Sequence, residues 1–204
     1  MLQNMGRPAT HTEDQFLDAA TALFASGGAR AVTMNAVARA VGAPSGSIFH
    51  RFPTRGSLLA AVWIRTVRRF QQEYADRLGS DPLTARGVVD ATAWVVEWCR
   101  TNLSAALVLH AGVHAFEPDS WPEAARSLWN AANAEQERTL ERLVAEIAGQ
   151  TTLTPAEIAF VLFDLPLAAV RTSLVSRREP GPEAARLVRA LATRLLGPAS
   201  PDAA

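Results

Sequence analysis

The order of apolar and polar residues along the chain predicts a protein built from α-helices. Four apolar residues near the N-terminus recur at intervals of three or four positions: Phe16, Ala20, Leu23 and Phe24. This spacing places side chains on one face of a helix. Thr12 and Gln15 precede the run in the order of a capping box, and Gly27-Gly28 follows it with residues that commonly end a helix. We therefore predict a first helix between Thr12 and Gly28.

Two short helices of about eight residues, joined by a glycine turn, are predicted next. Thr33 is a suitable N-cap for the second helix, Gly42 permits a sharp turn, and Pro44 suits the first turn of a third helix. In the third helix Ile48 and Phe52 are four residues apart and share the face that we expect to be buried. The outward face then carries small residues followed by aromatic and cationic ones: Gly46, Ser47, Phe49 and His50. This arrangement is typical of a helix-turn-helix, because small side chains let the second helix enter the major groove of DNA.

The rest of the chain is also predicted to be helical, without strand alternation or internal repeats. A long fourth helix is expected from about Pro53 to Leu78, followed by a break at "GSDP". Five more helices are expected near Pro82–Thr101, Leu103–Phe116, Pro122–Ala148, Thr154–Ser176 and Pro182–Leu196. The predicted fold class is therefore all-α with about nine helices.

Composition indicates a globular protein and limits which side chains could bind phosphate. The 204 residues are 49% hydrophobic, and the 20 basic and 20 acidic residues cancel. The chain contains no Lys, and all 20 of these basic residues are Arg. Contacts with phosphate must therefore come from local Arg, His, hydroxyl or backbone N–H groups. The single cysteine, Cys99, excludes an internal disulfide.

The N-terminus lacks the apolar core of a signal peptide, and the apolar run from Ile158 to Val170 is too short and interrupted to span a bilayer. We expect a soluble, cytoplasmic protein.

The stretch from about His11 to Phe70 resembles the N-terminal part of the TetR family of bacterial transcriptional regulators. It contains "AATALFASGGARAVTMNAVARAVGAPSGSIFHRFPTRGSLLAAV", in which helix lengths and turn residues match together. The resemblance implies a DNA-binding domain over residues 11–70, with its helix-turn-helix at 33–52, preceded by a flexible arm at 1–10. It also implies that residues 71–197 bind a small effector and form a dimer, and we expect a disordered tail at 198–204.

The resemblance also assigns DNA contacts to particular residues. It implies that Thr33 holds a phosphate and that base edges are contacted by Ser45, Gly46 and Ser47. It places Phe49 and His50 near the DNA backbone, and Arg55 against a phosphate at a position where the family commonly has Lys. Arg7, in "GRP", resembles an arm residue that enters the minor groove, with a disordered tail as the alternative.

Two departures from the family pattern weaken the expected hold on phosphate. Phe49 stands where the family usually has Tyr, so one hydroxyl is missing. Ser45 stands where the family often has Lys, so one charge is missing. A purely structural role in the core remains open for Phe49.

Aromatic and polar residues in the C-terminal part are candidates for an effector cavity. They are Trp94, Trp98, His110, His114, Phe160, Phe163 and Asp164. Core packing remains the alternative for the rings, and a structural ion pair remains the alternative for Asp164, which we expect to be buried beside a kink at Pro166. The histidines and Cys99 lack a third ligand at a fixed spacing, so we expect no metal and no cofactor.

The last helix carries an apolar stripe that suits dimerisation. Four of its residues are assigned to the interface: Leu187, Val188, Leu191 and Leu195. Closure of the core of a single subunit is the alternative for this helix.

These observations favour a homodimeric DNA-binding regulator. The expected role is a repressor released from a palindromic double-stranded operator by a small apolar or aromatic ligand. One alternative is a DNA-binding dimer without an effector. The other is a helical-bundle enzyme, which we do not expect because no G-x-S-x-G, P-loop, Rossmann or H-E-x-x-H motif is present.

Overall fold

The computed structural model describes residues 11–78 and 84–197, and helices without any strand make up the ordered elements of these residues. The predicted all-α fold class is confirmed. The predicted arm with Arg7, the "GSDP" break and the C-terminal tail lie outside the described residues.

Three short helices form the N-terminal unit: α1 (Glu13–Gly27), α2 (Met34–Val41) and α3 (Ser45–Phe49). The predicted capping box starts α1, because the Gln15 N–H donates to Thr12 Oγ1 and the Thr12 N–H donates to Gln15 Oε1. Gly42 ends α2 with a φ of +73°, a conformation that favours glycine. The third helix is five residues long, shorter than the eight expected, and is followed by turns.

The N-terminal unit shares its core with a segment far along the chain. Ile48 and Phe52 are buried as predicted, in a cluster with Phe16 and Phe24. The ring of Phe24 stacks on that of Phe116 with centroids 4.4 Å apart. The helix-turn-helix is therefore packed against the C-terminal part and has no separate core.

The middle of the chain contains the long helices that surround the core. They are α4 (Arg55–Leu78), α5 (Ala85–Thr101), α6 (Leu103–Ala111) and α7 (Glu123–Gln150). The predicted helix to Phe116 ends at Ala111 instead, because Gly112 adopts a φ of +74°. Two 3-10 turns follow, at Val113–Phe116 and Pro118–Ser120. The backbone of α4 touches this connection directly, since a Cβ at Gly56 would lie 2.1 Å from the Ser120 carbonyl oxygen.

The predicted helix Thr154–Ser176 is interrupted by a π-helical turn. It consists of α8 (Pro155–Ala159), the π turn (Phe160–Asp164) and α9 (Leu165–Val175), and α10 (Pro182–Leu196) follows. Pro166 has no N–H to donate to the Leu162 carbonyl, and the Leu165 N–H bonds the Phe160 carbonyl five residues back. This turn is the reason that ten α-helices occur in the described residues where about nine were expected.

Helix α5 lies at the centre of the C-terminal part, packed by α4, α9 and α10. Within the described residues one helical stretch, Pro155–Val175, is long and apolar enough to cross a membrane, with a mean hydropathy of 1.8. Its 21 residues exceed the 13-residue run considered from sequence. A helix that packs on a core meets the same criterion, and one side of α9 packs on α5 in this way.

Candidate nucleic-acid interface and ligand cavity

The outward face of α3 presents the residues that were assigned to DNA. Ser45, Gly46 and His50 are exposed, and the side chain of Phe49 is 47% exposed. Ile48, on the opposite side, is fully buried. Phe49 therefore does not lie in the core, and its ring is free to meet a partner.

The small residues of α3 differ in how open they are. A Cβ added at Gly46 would meet nothing within 4 Å, so the backbone there is accessible. Ser47 is half-buried, and its hydroxyl donates to the Pro44 carbonyl at 2.7 Å. Base contacts are therefore more accessible to Ser45 and Gly46 than to Ser47.

Thr33 caps α2 as predicted. Its hydroxyl accepts the Ala36 N–H at 3.1 Å, and its own N–H donates to the Ala31 carbonyl. The side chain is exposed, so the hydroxyl hydrogen remains free to donate to a phosphate.

Arg55 does not point outward as expected. Its guanidinium donates to three acceptors inside the chain: the Val32 carbonyl at 2.8 Å, the Ala29 carbonyl at 2.7 Å and the Glu117 carboxylate at 2.6 Å. These bonds engage the guanidinium within the chain in the absence of DNA, and the expected contact with a phosphate stays a prediction. Sequence reasoning missed Glu117, whose left-handed φ of +53° between two 3-10 turns has no clear signature in "HAFEPDS".

Two other arginines of the N-terminal unit are candidates for the missing phosphate contacts. Arg30 and Arg39 are exposed, and no described acid forms an ion pair with either. Arg51 is instead engaged, because it donates to the His11 carbonyl at 2.5 Å and lies over the Phe16 ring.

A cavity of about 620 Å³ lies between α4, α5, α6 and α9. It contains three of the predicted effector residues: Trp98, His110 and Asp164. Sequence reasoning missed several other lining residues, among them Phe70, Cys99, Leu167 and Arg171. Its volume lies within the range of ligand sites, and apolar side chains dominate its wall.

Asp164 is exposed at this cavity, which corrects the expectation of a buried carboxylate. No described basic group pairs with it. Because α9 leaves this side uncovered, the charge keeps its hydration and needs no internal partner.

A second, smaller cavity of about 240 Å³ shares Phe70, Val95 and Leu167 with the first. It contains Phe163, another predicted residue, and Tyr74. Burial raises the pKa of the Tyr74 phenol well above its usual range, and its hydroxyl has no hydrogen-bond partner among the described residues. The two cavities together form an apolar region with few polar groups.

The remaining predicted effector residues lie elsewhere. Trp94 stacks on Phe70 but faces a polar surface cleft with Arg77 and Arg189. Phe160 and His114 are exposed and line neither of these two cavities. Helical spacing identified the rings but could not tell which side of each helix meets the cavity.

Cys99 lies in the wall of the larger cavity. Burial raises the pKa of its thiol to about 12. The thiol is therefore protonated at neutral pH, which suits an apolar wall and disfavours metal ligation. No group of three or more potential ligands that could hold a metal ion occurs in the part of the chain that the structure describes.

The predicted dimerisation residues divide into two sets. Val188 is fully buried within its own chain, packed in the cluster around α5, so its assignment to an interface is wrong. Leu187 and Leu195 are exposed, and Leu191 is half-buried. One side of α10 therefore closes the core of its own chain, while its exposed leucines leave dimerisation as a prediction for the other side.

Comparisons with known proteins agree with this architecture. Residues 16–62 match the family model of bacterial regulatory proteins of the tetR family. A comparison with curated proteins gave no match. This family consists of regulators, in agreement with the expectation that the chain is not an enzyme.

Three solved structures are similar over most of their length. A TetR-like transcriptional regulator from Rhodococcus is 21% identical with a TM-score of 0.63, over 89% of this chain and 93% of the other. PfmR, a TetR family transcriptional regulator from Thermus thermophilus, is 17% identical with a TM-score of 0.65, over 90% of this chain and 97% of the other. EbrR, a multidrug binding protein complexed with imidazole, is 19% identical with a TM-score of 0.56, over 98% of this chain and 99% of the other. Residues 16–62 are therefore a TetR-family DNA-binding domain, carried on a chain with the fold of TetR-family transcriptional regulators.

Proposed function

We propose that the chain is a homodimeric transcriptional repressor that leaves a palindromic operator when an apolar ligand enters the cavity beside α5. The observation that carries the proposal is the outward face of α3. There Ser45, Gly46, Phe49 and His50 are exposed while Ile48 anchors the helix in the core. A rigidly held helix with a small, polar face is suited to the major groove.

Charge on the N-terminal unit supports binding to the DNA backbone. His50, Arg30 and Arg39 are exposed, and the Thr33 hydroxyl lies at the start of α2. These groups compensate for the two departures from the family pattern and for the internal engagement of Arg55. We assign them to phosphates and the start of α3 to bases.

The adjoining cavities support a ligand that is mainly apolar or aromatic. Their shared residues Phe70, Val95 and Leu167 are hydrophobic, and the charged groups lie only at the edge of the larger one. The similar protein EbrR is described as a multidrug binding protein. A regulator of this kind acts in the cytoplasm, where its operator is.

A homodimer suits a palindromic operator, because two symmetric copies place two α3 helices on successive half-sites. Leu187 and Leu195 of α10 are exposed, and α10 packs on α9. We assign dimerisation to these two helices.

The test is selection of duplexes from a random pool, followed by gel shifts with the selected and a scrambled duplex. We expect an inverted repeat to be enriched and to be released by N-phenyl-1-naphthylamine, a neutral apolar fluorophore. His50→Ala should weaken binding to both duplexes alike, and Ser45→Ala should change the selected sequence. Binding without release would favour an effector-independent dimer, whereas no enrichment would contradict DNA-binding regulation.

A further inference from the structure

We propose that the smaller cavity takes a neutral aromatic ligand that carries a carbonyl group, and that the Tyr74 hydroxyl donates a hydrogen bond to this carbonyl. The inference rests on the proposed function, because it names the chemical class of ligand for the same apolar region. It adds that Tyr74 is the residue that recognises the polar group of the ligand.

The first observation is the enclosure of the Tyr74 phenol. The residue is 7% exposed and forms part of the wall of the smaller cavity. Its hydroxyl has no hydrogen-bond partner among the described residues, and the side chains of its cluster are hydrophobic, Ala91 and Val95 among them. A buried hydroxyl without a partner costs free energy, which an acceptor on a bound ligand removes. The hydrogen bond therefore forms only in the complex.

The second observation is the protonation state of this group. Burial raises the pKa of the Tyr74 phenol well above its usual range. The hydroxyl therefore keeps its proton at neutral pH and can act as a donor. A carbonyl oxygen, which only accepts, is the complementary group on a ligand.

The third observation is the set of aromatic rings around the smaller cavity. The Phe70 ring stacks on that of Tyr74 with centroids 5.9 Å apart, and the Trp94 ring lies 6.2 Å from Tyr74. Phe163 lines the same cavity. Aromatic side chains pack well against another ring, and the volume of about 240 Å³ suits a compact ring system. The wall therefore favours an aromatic ligand.

The fourth observation is the lack of charge in this wall. No charged side chain of the described residues lines the smaller cavity, whereas the larger cavity includes His110, Asp164 and Arg171. Gln71 and Gln136 add neutral amides that are half-buried and make no hydrogen bond with described residues. A ligand carboxylate or ammonium would lose hydration here without meeting an opposite charge. The ligand that fits is therefore neutral.

The selectivity is tested with three naphthalenes of similar size that compete with N-phenyl-1-naphthylamine: 2-acetylnaphthalene, 2-isopropylnaphthalene and 2-naphthoate. Tyr74→Phe should weaken binding of the ketone about tenfold, because its carbonyl is then buried without a donor. Binding of the hydrocarbon should stay within about twofold, because it makes no hydrogen bond in either chain. The carboxylate should bind the original chain at least about tenfold more weakly than the ketone.

Infrared spectra distinguish a direct contact from a structural role of Tyr74. The carbonyl stretch of bound 2-acetylnaphthalene should lie at lower wavenumber in the original chain than in Tyr74→Phe, because a hydrogen bond weakens the C=O bond. Thr66→Val is the matched control. It removes a buried hydroxyl from the same helix, one that donates to the Val62 carbonyl at 2.7 Å and lines neither cavity. It should leave the affinity and the stretch unaltered.

Thermal unfolding of the ligand-free chain tests the missing partner. Tyr74→Phe should raise the melting temperature by about 2–4 °C, because it removes a buried hydroxyl without a partner. Thr66→Val should lower the melting temperature, because its hydroxyl has one. A Tyr74→Phe chain less stable than the original would overturn the proposal by showing that the hydroxyl is bonded within the protein.

The binding data can also contradict the proposal. Equal losses of affinity for the ketone and the hydrocarbon would exclude a bond to the carbonyl, as would a carbonyl stretch that Tyr74→Phe does not move. Tightest binding of 2-naphthoate, or binding of neither neutral compound, would exclude this class of ligand. No readout uses DNA, so failure here is distinguishable from failure of the proposed regulation, which is measured by release of the operator.

Discussion

Arg55 and Glu117 form an ion pair with 2.6 Å between Nη1 and Oε2, although 61 residues separate them in the sequence. The same guanidinium donates to the carbonyls of Ala29 and Val32, which precede α2. The first turn of α4 is thereby fixed both to the helix-turn-helix and to the connection between α6 and α7.

Replacement of Arg55 should therefore affect stability more than phosphate binding. Arg55→Ala removes two partly buried hydrogen bonds to carbonyls and one exposed bond to Glu117, and should lower the free energy of unfolding by about 2–3 kcal/mol. The dependence of DNA affinity on salt should stay unchanged, because no phosphate contact is lost. Chemical denaturation and fluorescence anisotropy at several salt concentrations measure the two effects.

Arg39→Ala is the matched control for this experiment. Arg39 is exposed on α2, so its loss should leave stability nearly unchanged and reduce the salt slope by about one. A reduced slope for Arg55→Ala without loss of stability would show that Arg55 leaves its internal partners to bind phosphate.

Gly46→Ala should separate folding from DNA binding. The added Cβ meets nothing within 4 Å in the free protein, and alanine in a helix stabilises by about 0.5–1 kcal/mol relative to glycine. In the complex the same methyl group meets base edges, and affinity for the operator should fall about tenfold or more. Thermal unfolding and gel shift measure the two effects; unchanged operator affinity would remove Gly46 from the interface.

Phe49→Tyr should strengthen DNA binding. The ring is exposed, so the added hydroxyl remains hydrated in the free protein and can donate to a phosphate in the complex. We expect affinity to rise about threefold to tenfold, equally on operator and scrambled duplex, because phosphate contacts carry no sequence information. Phe49→Leu is the control and should not gain affinity. A gain confined to the operator would indicate a base contact instead.

Cys99 should report on the cavity through its reactivity. Because burial raises the pKa of its thiol to about 12, the reactive thiolate is a small fraction at pH 8 and should increase about tenfold per pH unit. Reaction with Ellman's reagent should therefore be slow in the native protein, faster as pH rises, and rapid in guanidinium chloride. N-phenyl-1-naphthylamine should slow the native reaction further. Native reactivity equal to that of the denatured chain would contradict a buried thiol in this wall.

Local sequence was sufficient for the helix-turn-helix. The Thr12–Gln15 capping box, the Thr33 cap and the glycine turn at Gly42 all act within a few residues, and each occurs as predicted. The buried Ile48 and Phe52 followed from helical spacing alone. The sequence predicted a kink at Pro166 but not the π turn that accompanies it. The kink was predictable because the missing N–H is a property of a single residue.

Only the tertiary structure decided which neighbour each helix face meets. Helical spacing gives the apolar side of a helix but does not identify what covers it. For this reason the sequence did not predict that Val188 is buried in its own chain, that Trp94 faces a surface cleft, or that Asp164 is exposed. The partner of Arg55 lies beyond three intervening helices, and no local pattern selects Glu117. The sequence by itself determined the capped starts of α1 and α2, the glycine turn and the small residues exposed on α3, because those features depend on near neighbours. The cavity depends on contacts between distant segments, which only the packed chain brings together.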